Sequence, residues 1–252
     1  PGEYVEEHIA IYKKIKIKSV DPLDPAIVDS TVLHWAYSLP IDEEWEHNFG
    51  SGLVSFTTCG RETVLEGFTF SNIQGRSAVN IFDAAPTIRN CTFYHNIAPK
   101  GSGIFIQGNP TYIDLGADIQ KPSALIENCI FMDNKSVAYN IGSWNFGGGA
   151  IYVTDYANVE IKSNMFTNNH ADMAGGAIFS YSGGNVSIID NSFDNNSAGK
   201  RWDFDGEYDY TGDAGAIYWT SIVNPVISGN IFANNILEYS YQILDGRFCE
   251  PA

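Results

Sequence analysis

A phenylalanine followed by an asparagine three residues later recurs along most of this chain. The five pairs are Phe93 and Asn96, Phe131 and Asn134, Phe166 and Asn169, Phe193 and Asn196, and Phe232 and Asn235, with Phe70 as a looser first member. An aliphatic residue stands five positions before each of these six phenylalanines: Leu65, Ile88, Ile126, Ile161, Ile188 and Ile227. Successive phenylalanines are 23, 38, 35, 27 and 39 residues apart. A short repeat with insertions of variable length is typical of a solenoid, in which each repeat buries its apolar face against its neighbours.

A short segment rich in β-branched and aromatic residues follows each phenylalanine block, and four of the five such segments begin with glycine. They are residues 78–82, 101–105, 148–152, 175–179 and 215–218. Glycine and asparagine separate these segments, and no 3.6-residue helical period is present. The pattern therefore favours a β-solenoid over an array of helical repeats.

Stacking the repeats in register predicts columns of like residues at the strand spacing of ~4.8 Å. The expected interior holds an isoleucine ladder and a phenylalanine ladder. The position two residues before each phenylalanine reads Phe68, Cys91, Cys129, Asn164, Asn191 and Asn230. Buried amides in such a column can bond to one another along the stack. Asparagine also tolerates the left-handed conformation that we expect at this corner.

Cys91 and Cys129 occupy the same ladder position in consecutive repeats. Their Cα atoms should therefore lie ~4.8 Å apart, within reach of a disulfide. Neighbouring repeats place other residues there without a bridge, which favours stacked buried thiols. Cys59 and Cys249 belong to opposite ends of the predicted solenoid and should not meet within one chain.

The repeats resemble those of the right-handed parallel β-helix superfamily that contains the pectate lyases. The combination of GGAI with FxxN resembles the repeats of polymorphic outer-membrane proteins and of related secreted bacterial β-helix proteins, and the likeness covers nearly the whole chain. It implies an all-β fold, a right-handed parallel β-helix of about seven coils. It says little about activity, because one fold carries many functions.

We expect a single β-helix domain over residues 1–252. Residues 1–62 form its less regular N-terminal coils, 63–235 its regular coils and 236–252 a C-terminal tail or cap. Strands in the irregular part are predicted at residues 8–12, 14–20, 26–33 and 53–57.

The chain starts at Pro1 in the middle of the repeat pattern, which predicts a piece of a longer secreted protein. An uncovered solenoid end exposes unpaired strand edges that another chain can pair with. Self-association through the solenoid ends is therefore one of the expected interactions.

The charge balance bears on location and partners. Thirty acidic residues against fourteen basic ones give a net charge of −16. Such a field repels nucleic acid and anionic membranes, and the sequence has no apolar run long enough to insert into a membrane. We expect an extracellular or cell-surface protein without a nucleic-acid partner.

Insertion lengths locate a candidate site. Between each FxxN asparagine and the next glycine-led segment lie 4, 12, 5 and 15 residues in four successive repeats. Two long loops therefore flank a short one at the same corner, starting ~10 Å apart, and predict a cleft between them. Its walls would be Tyr139, Trp144, Asn145 and Phe146 on one side and Trp202, Phe204, Tyr208 and Tyr210 on the other, with His170, Asp172 and Met173 as the floor.

Aromatic faces beside carboxylates suit a sugar-binding groove, so the cleft predicts polysaccharide binding. The alternative is that these aromatic residues only pack the loops onto the coil. The second long loop also alternates carboxylates at Asp203, Asp205, Glu207 and Asp209. With Gly206 at the bend, this loop is a candidate calcium site, although a solvated acidic loop is the competing interpretation.

The resemblance also implies two possible chemistries. A lyase would use calcium to acidify a uronate C5 proton and a basic residue to remove it, for which Lys200 and Arg201 are the candidates. A glycoside hydrolase would need two carboxylates, for which Asp172 with Asp203 or Asp213 are the candidates. The GHG and RIK signatures of polygalacturonase-like hydrolases and the WxDH-type signature of pectate lyases are absent. The sequence therefore favours a structural or adhesive protein that binds polysaccharide, with an enzyme on acidic glycans as the alternative.

Overall fold

A computed structural model describes residues 1–36, 52–109, 123–138, 146–181, 184–199, 214–220 and 223–237. One short helix, α1 (Pro25–Asp29), and 27 strands occur in this part of the chain. The strands in chain order are β1 (Gly2–Glu6), β2 (Ile9–Ile11), β3 (Lys16–Lys18), β4 (Thr31–Trp35), β5 (Val54–Thr57), β6 (Val64–Glu66), β7 (Thr69–Ser71), β8 (Val79–Phe82), β9 (Thr87–Arg89), β10 (Thr92–Tyr94), β11 (Ile97–Ala98), β12 (Ile104–Gln107), β13 (Ser123–Glu127), β14 (Ile130–Met132), β15 (Lys135–Ser136), β16 (Ile151–Thr154), β17 (Asn158–Lys162), β18 (Met165–Thr167), β19 (His170–Ala171), β20 (Ile178–Tyr181), β21 (Asn185–Ile189), β22 (Ser192–Asp194), β23 (Ser197–Ala198), β24 (Ile217–Thr220), β25 (Val223–Ser228), β26 (Ile231–Ala233) and β27 (Ile236–Leu237).

These strands form four sheets, and the named strands within each sheet pair in parallel. The Phe sheet contains β1, β4, β7, β10, β14, β18, β22 and β26. The short-strand sheet contains β11, β15, β19, β23 and β27. The Gly-led sheet contains β2, β5, β8, β12, β16, β20 and β24, and the Ile sheet contains β3, β6, β9, β13, β17, β21 and β25. A regular repeat passes through the Phe, short-strand, Gly-led and Ile sheets in that order and returns to the Phe sheet one rung further on.

This path is a parallel β-helix, and the predicted all-β fold is confirmed. The predicted ladders are confirmed as well: Phe93 pairs in register with Phe131, and Ile126 with Ile161. Phe70, Phe93, Phe131, Phe166 and Phe193 have no exposed surface. Neighbouring rings along the phenylalanine stack, which ends at Phe232, lie 4.7 to 5.0 Å apart and within 8° of parallel.

The predicted amide column is present. Asn164 donates from Nδ2 to the Ile126 carbonyl of the preceding rung and to Asn191 Oδ1 of the next, both at 3.0 Å. Asn191 bonds to Asn230 in the same way at 3.0 Å. The left-handed residues are those one position earlier, such as Asn128 and Ser163. Our assignment of that conformation to the ladder residue itself was therefore wrong by one position, because the ladder residue points into the core while its predecessor makes the bend.

Cys91 and Cys129 are free, buried thiols, as the ladder predicted. The Cys129 Sγ lies 3.8 Å from the Ile88 carbonyl, the contact that Asn164 makes one rung later with its amide. Burial, followed by the hydrogen bond to Cys91, raises the pKa of the Cys129 thiol well above its usual range. In these earlier coils the two thiols therefore contact the backbone carbonyl to which an asparagine amide donates in the later coils.

A second amide column, which we had not predicted, is formed by the asparagines of the FxxN motif. Asn96, Asn134, Asn169 and Asn196 are completely buried. Each donates from Nδ2 to the Oδ1 of the next one, at 3.0, 3.0 and 2.9 Å for the three successive pairs from Asn96 to Asn196. Each Nδ2 also reaches the carbonyl of the phenylalanine one rung back, as Asn169 does to Phe131 at 3.0 Å. This column fixes the corner between the Phe sheet and the short-strand sheet.

The two glycines of each pair before β16 and β20 are required for different structural reasons. Gly148 and Gly175 have φ values of +63° and +62°, which disfavour residues with a Cβ. Gly149 and Gly176 are needed for space, since a Cβ on them would overlap the backbone of His170 and Ser197, respectively. The chain at this corner can therefore pass directly against the short-strand sheet.

The predicted strand at residues 26–33 is partly wrong. Residues 25–29 form α1, and the strand β4 begins only at Thr31. Asp24 caps the helix by accepting the Ala26 N–H at 2.9 Å, and Pro25 fits the first turn because it needs no donor there. Among the described residues, no helix is both long and apolar enough to cross a membrane.

Candidate functional site

The corner between the short-strand sheet and the Gly-led sheet carries the candidate site. The residues directly after each FxxN asparagine, which we had counted as the start of a loop, form the two-residue strands β11, β15, β19, β23 and β27. His170 is therefore the first residue of a strand. Its backbone is held by the amide column, because Asn169 immediately precedes it.

Three polar side chains occupy consecutive rungs on the outer face of the short-strand sheet. Lys135 pairs in register with His170, and His170 with Ser197. The alternating positions Ser136, Ala171 and Ala198 are buried, so the three polar side chains point outward. We call Lys135, His170 and Ser197 the polar row.

Asp172 lies behind the polar row and is only 3% exposed. Its Oδ1 is 3.3 Å from His170 Nε2 and 3.7 Å from Lys135 Nζ. Its Oδ2 accepts the backbone N–H of Ala138 at 3.2 Å. Burial of a carboxylate is costly unless partners compensate its charge; here Lys135 and His170 lie within ion-pair distance of Oδ1, although neither contact is a hydrogen bond.

His170 connects Asp172 to Ser197. Its Nδ1 lies 2.8 Å from Ser197 Oγ, while its Nε2 faces the carboxylate. Sequence reasoning found His170 and Asp172 but missed Lys135 and Ser197. Their shared position, immediately after an FxxN asparagine, was the signal available.

An aromatic column lies on the outer face of the neighbouring Gly-led sheet. Phe105, Tyr152, Phe179 and Tyr218 pair in register, with ring centroids 5.5, 5.0 and 5.1 Å apart. Each is the first aromatic residue of its glycine-led segment, a recurrence visible in the sequence that we had not interpreted as an outer stack. Burial, followed by the charges of Asp155 and Tyr181, raises the pKa of Tyr152.

The aromatic column is packed rather than open. Phe105, Tyr152 and Phe179 are buried, and Lys100 Nζ lies 5.6 Å from the Tyr152 ring centroid and 5.7 Å from that of Phe146. Phe146 is itself 2% exposed. Its ring is therefore covered, while the cleft wall to which we assigned it depends on residues outside the described part of the chain and stays a prediction.

Residues 46–247 match the family model of the right-handed β-helix region. The chain belongs to the right-handed β-helix family. No curated protein and no solved structure matches the chain significantly.

Membership of the right-handed β-helix family establishes the fold and the handedness of the coil. The match does not extend to the pectate-lyase-like subtype or to the outer-membrane repeat proteins, and these finer resemblances stay predictions. The single-domain organisation over residues 1–252 also stays a prediction.

Most of the predicted cleft lies outside the described residues. This applies to the aromatic residues Tyr139, Trp144, Trp202, Tyr208 and Tyr210, to the candidate bases Lys200 and Arg201, and to the carboxylates Asp203, Asp205, Glu207, Asp209 and Asp213. The calcium site and both catalytic schemes suggested by the resemblance to β-helix enzymes depend on these residues and stay predictions. Within the described part of the chain, no group of three His, Cys, Asp or Glu side chains could hold a metal ion.

Proposed function

We propose that this β-helix protein has a structural or adhesive role outside the cell or at its surface, and that it binds polysaccharide along the polar row. The observation that carries the proposal is the placement of Lys135, His170 and Ser197 on consecutive rungs in front of the buried Asp172. These groups supply a cation, an imidazole and a hydroxyl on one line.

The direction of this line favours an extended polymer. Rungs follow one another at ~4.8 Å along the helix axis, so a chain lying along the axis meets a polar group at each of three successive rungs, which are flanked by Ile97 and Ile236 at the same position. Polysaccharides present hydroxyl groups at regular intervals and can both donate and accept hydrogen bonds. Lys135 only donates, whereas Ser197 can do both.

The rigidity of the surface also supports this proposal. The FxxN amide column lies directly beneath the polar row, with Asn134 next to Lys135 and Asn169 next to His170. A preorganised row loses little side-chain and backbone freedom when a ligand binds, which favours affinity.

Binding should weaken when the cation of the polar row is removed. Lys135→Ala is expected to reduce retention on a panel of neutral and acidic polysaccharides about 10-fold, since a hydrogen bond to a charged group contributes about 1.5–3 kcal/mol. The matched control is Lys162→Ala, which removes an exposed lysine from the Ile sheet. Retention and thermal unfolding are measured together, so that loss of binding is separated from loss of fold.

The predicted loop aromatics provide a second comparison. Trp144→Ala and Trp202→Ala should weaken binding if the loops form the walls of the groove. Equal retention of Lys135→Ala and Lys162→Ala, with no effect of either tryptophan, would refute glycan binding at this corner.

A second candidate function, self-association with another copy, is supported by the ends of the described coils. In the last rung Ile231, Phe232 and Ile236 are 67%, 51% and 51% exposed, and in the first strand Val5 is 64% exposed. Both ends carry strands of the same parallel sheets, so a second copy stacked head to tail would continue the ladders.

Self-association through the ends predicts a mass that rises with concentration in light scattering. Ile231→Lys should reduce that rise, because it places a charge in the stacked edge, whereas deletion of residues 202–213 should leave it unchanged. A monomer mass that is independent of concentration would contradict end-to-end stacking.

A further inference from the structure

We infer that Ser197, His170 and Asp172 form a nucleophilic array that can cleave small carboxylic esters. A serine hydroxyl becomes a useful nucleophile when a neighbouring base takes its proton and a third group orients that base. Ser197 Oγ lies 2.8 Å from His170 Nδ1, within hydrogen-bond distance, and Asp172 Oδ1 lies 3.3 Å from His170 Nε2, an ion-pair contact rather than a hydrogen bond, so that the carboxylate orients the imidazole by its charge.

The imidazole tautomer follows from its two neighbours. The negative charge of Asp172 beside Nε2 favours the tautomer that carries its hydrogen on Nε2, and in that tautomer Nδ1 accepts the proton of the Ser197 hydroxyl. The carboxylate is held in turn by the Ala138 N–H at 3.2 Å. Asp172 is therefore a positioning residue, which fixes the tautomer and stabilises the imidazolium once it forms.

The fold sets the distance between nucleophile and base. His170 and Ser197 are in register on adjacent strands, and the asparagines that precede them, Asn169 and Asn196, are bonded to each other at 2.9 Å. Gly176 lets the chain pass against the Ser197 backbone, where a Cβ would overlap it. His170 is 22% exposed at its side chain, and Ser197 is half-buried, so both remain partly accessible from the surface.

The reaction has two steps. Ser197 Oγ attacks the ester carbonyl carbon while its proton moves to His170 Nδ1, and the alcohol leaves with that proton as the ester C–O bond breaks. A water molecule then attacks the acyl-serine carbonyl and gives a proton to Nδ1. The Oγ–acyl bond breaks, the carboxylic acid is released, and the proton returns to Ser197. No oxidant, reductant or metal ion enters this balance.

Ester cleavage at Ser197 is separate from glycan binding and does not depend on it. A short, uncharged acyl ester needs only access to Ser197. It can therefore be tested with small probes on the whole protein, whatever the polar row binds.

The test uses a fluorophosphonate probe, with peptide mapping of the modified residue, and the hydrolysis of p-nitrophenyl acetate. We expect the probe to modify Ser197, and Ser197→Ala to lower hydrolysis about 100-fold or more, the scale of loss when the general-base pathway is removed. The matched control is Ser192→Ala, one strand away on the Phe sheet, which should retain both labelling and hydrolysis.

The role of Asp172 is tested by pH. Asp172→Asn removes the negative charge that favours the hydrogen on Nε2, so Nδ1 loses its role as the base and hydrolysis should fall more at pH 7 than at pH 9, where hydroxide can replace the base. A purely structural defect would lower both rates equally, and Asp172→Glu should restore part of the rate.

Peptide mapping of the unaltered protein decides the question even where a variant fails to fold. Modification of Ser197 together with slow hydrolysis supports the array. No modification of Ser197 under conditions that label a known serine esterase, or equal hydrolysis by Ser197→Ala and the unaltered protein, overturns it.

Discussion

Replacing Phe166 with alanine is expected to lower the free energy of unfolding by about 3–5 kcal/mol, the usual cost of removing a fully buried phenyl ring. Phe166 has no exposed surface. Its ring lies 4.8 Å from that of Phe131 and 4.7 Å from that of Phe193. The substitution therefore removes transfer free energy and also opens a gap in a continuous stack, which the rungs on either side cannot close without losing their register.

The measurement is urea denaturation followed by circular dichroism. Phe82→Ala is the matched control, because Phe82 is 41% exposed at the end of its strand and its removal opens no cavity. Phe166→Leu should fall between the two, since it refills part of the volume. Equal destabilisation by Phe166→Ala and Phe82→Ala would contradict the interior stack.

The stack and the regular coils could be predicted because their physical cause is periodic. A coil buries its apolar face only against the next coil, so residues such as Phe131 and Phe166 must recur in the same position of each repeat. The Asn164 and Asn191 column was predictable for the same reason, since a buried amide is tolerated where a like amide lies above it.

Local structure that occurs once was harder to predict. The helix α1 begins with Asp24 and Pro25, a helix-start signal, yet the apolar residues after it also fit a strand. The two-residue strands were missed because they are too short to show any alternation. That omission hid Lys135 and Ser197, although their position after the FxxN asparagine is the same as that of His170.

At the candidate site, too, periodic features could be predicted from the sequence whereas local contacts could not. His170 and Asp172 were found through the lengths of the insertions, which mark the corner but not the residues that meet there. Contacts such as His170 with Ser197 depend on register between repeats 27 residues apart, and they become visible only when the repeats are stacked. The long loops carry no periodic pattern, so their aromatic and acidic residues could be assigned to the same corner but not to a geometry.

The second large effect is expected at the FxxN amide column. Asn169→Ala should destabilise the protein by roughly 3–5 kcal/mol, because each buried polar group that loses its partner costs about 1–3 kcal/mol. The Asn169 Nδ2 donates to Phe131 O at 3.0 Å and to Asn196 Oδ1 at 2.9 Å. Its Oδ1 accepts the Asn134 backbone N–H at 3.2 Å and the Asn134 Nδ2 at 3.0 Å.

The control for this effect is Asn185→Ala, which truncates an exposed asparagine on a strand of the Ile sheet and should change stability by less than about 0.5 kcal/mol. Both variants are compared with the unaltered protein by urea denaturation. A cost of Asn169→Ala as small as that of Asn185→Ala would show that the column does not stabilise the coil. Because Asn169 adjoins His170, we also expect Asn169→Ala to loosen the alignment of the polar row at urea concentrations below the unfolding transition. The rigid amide column is what keeps Lys135, His170 and Ser197 on one line.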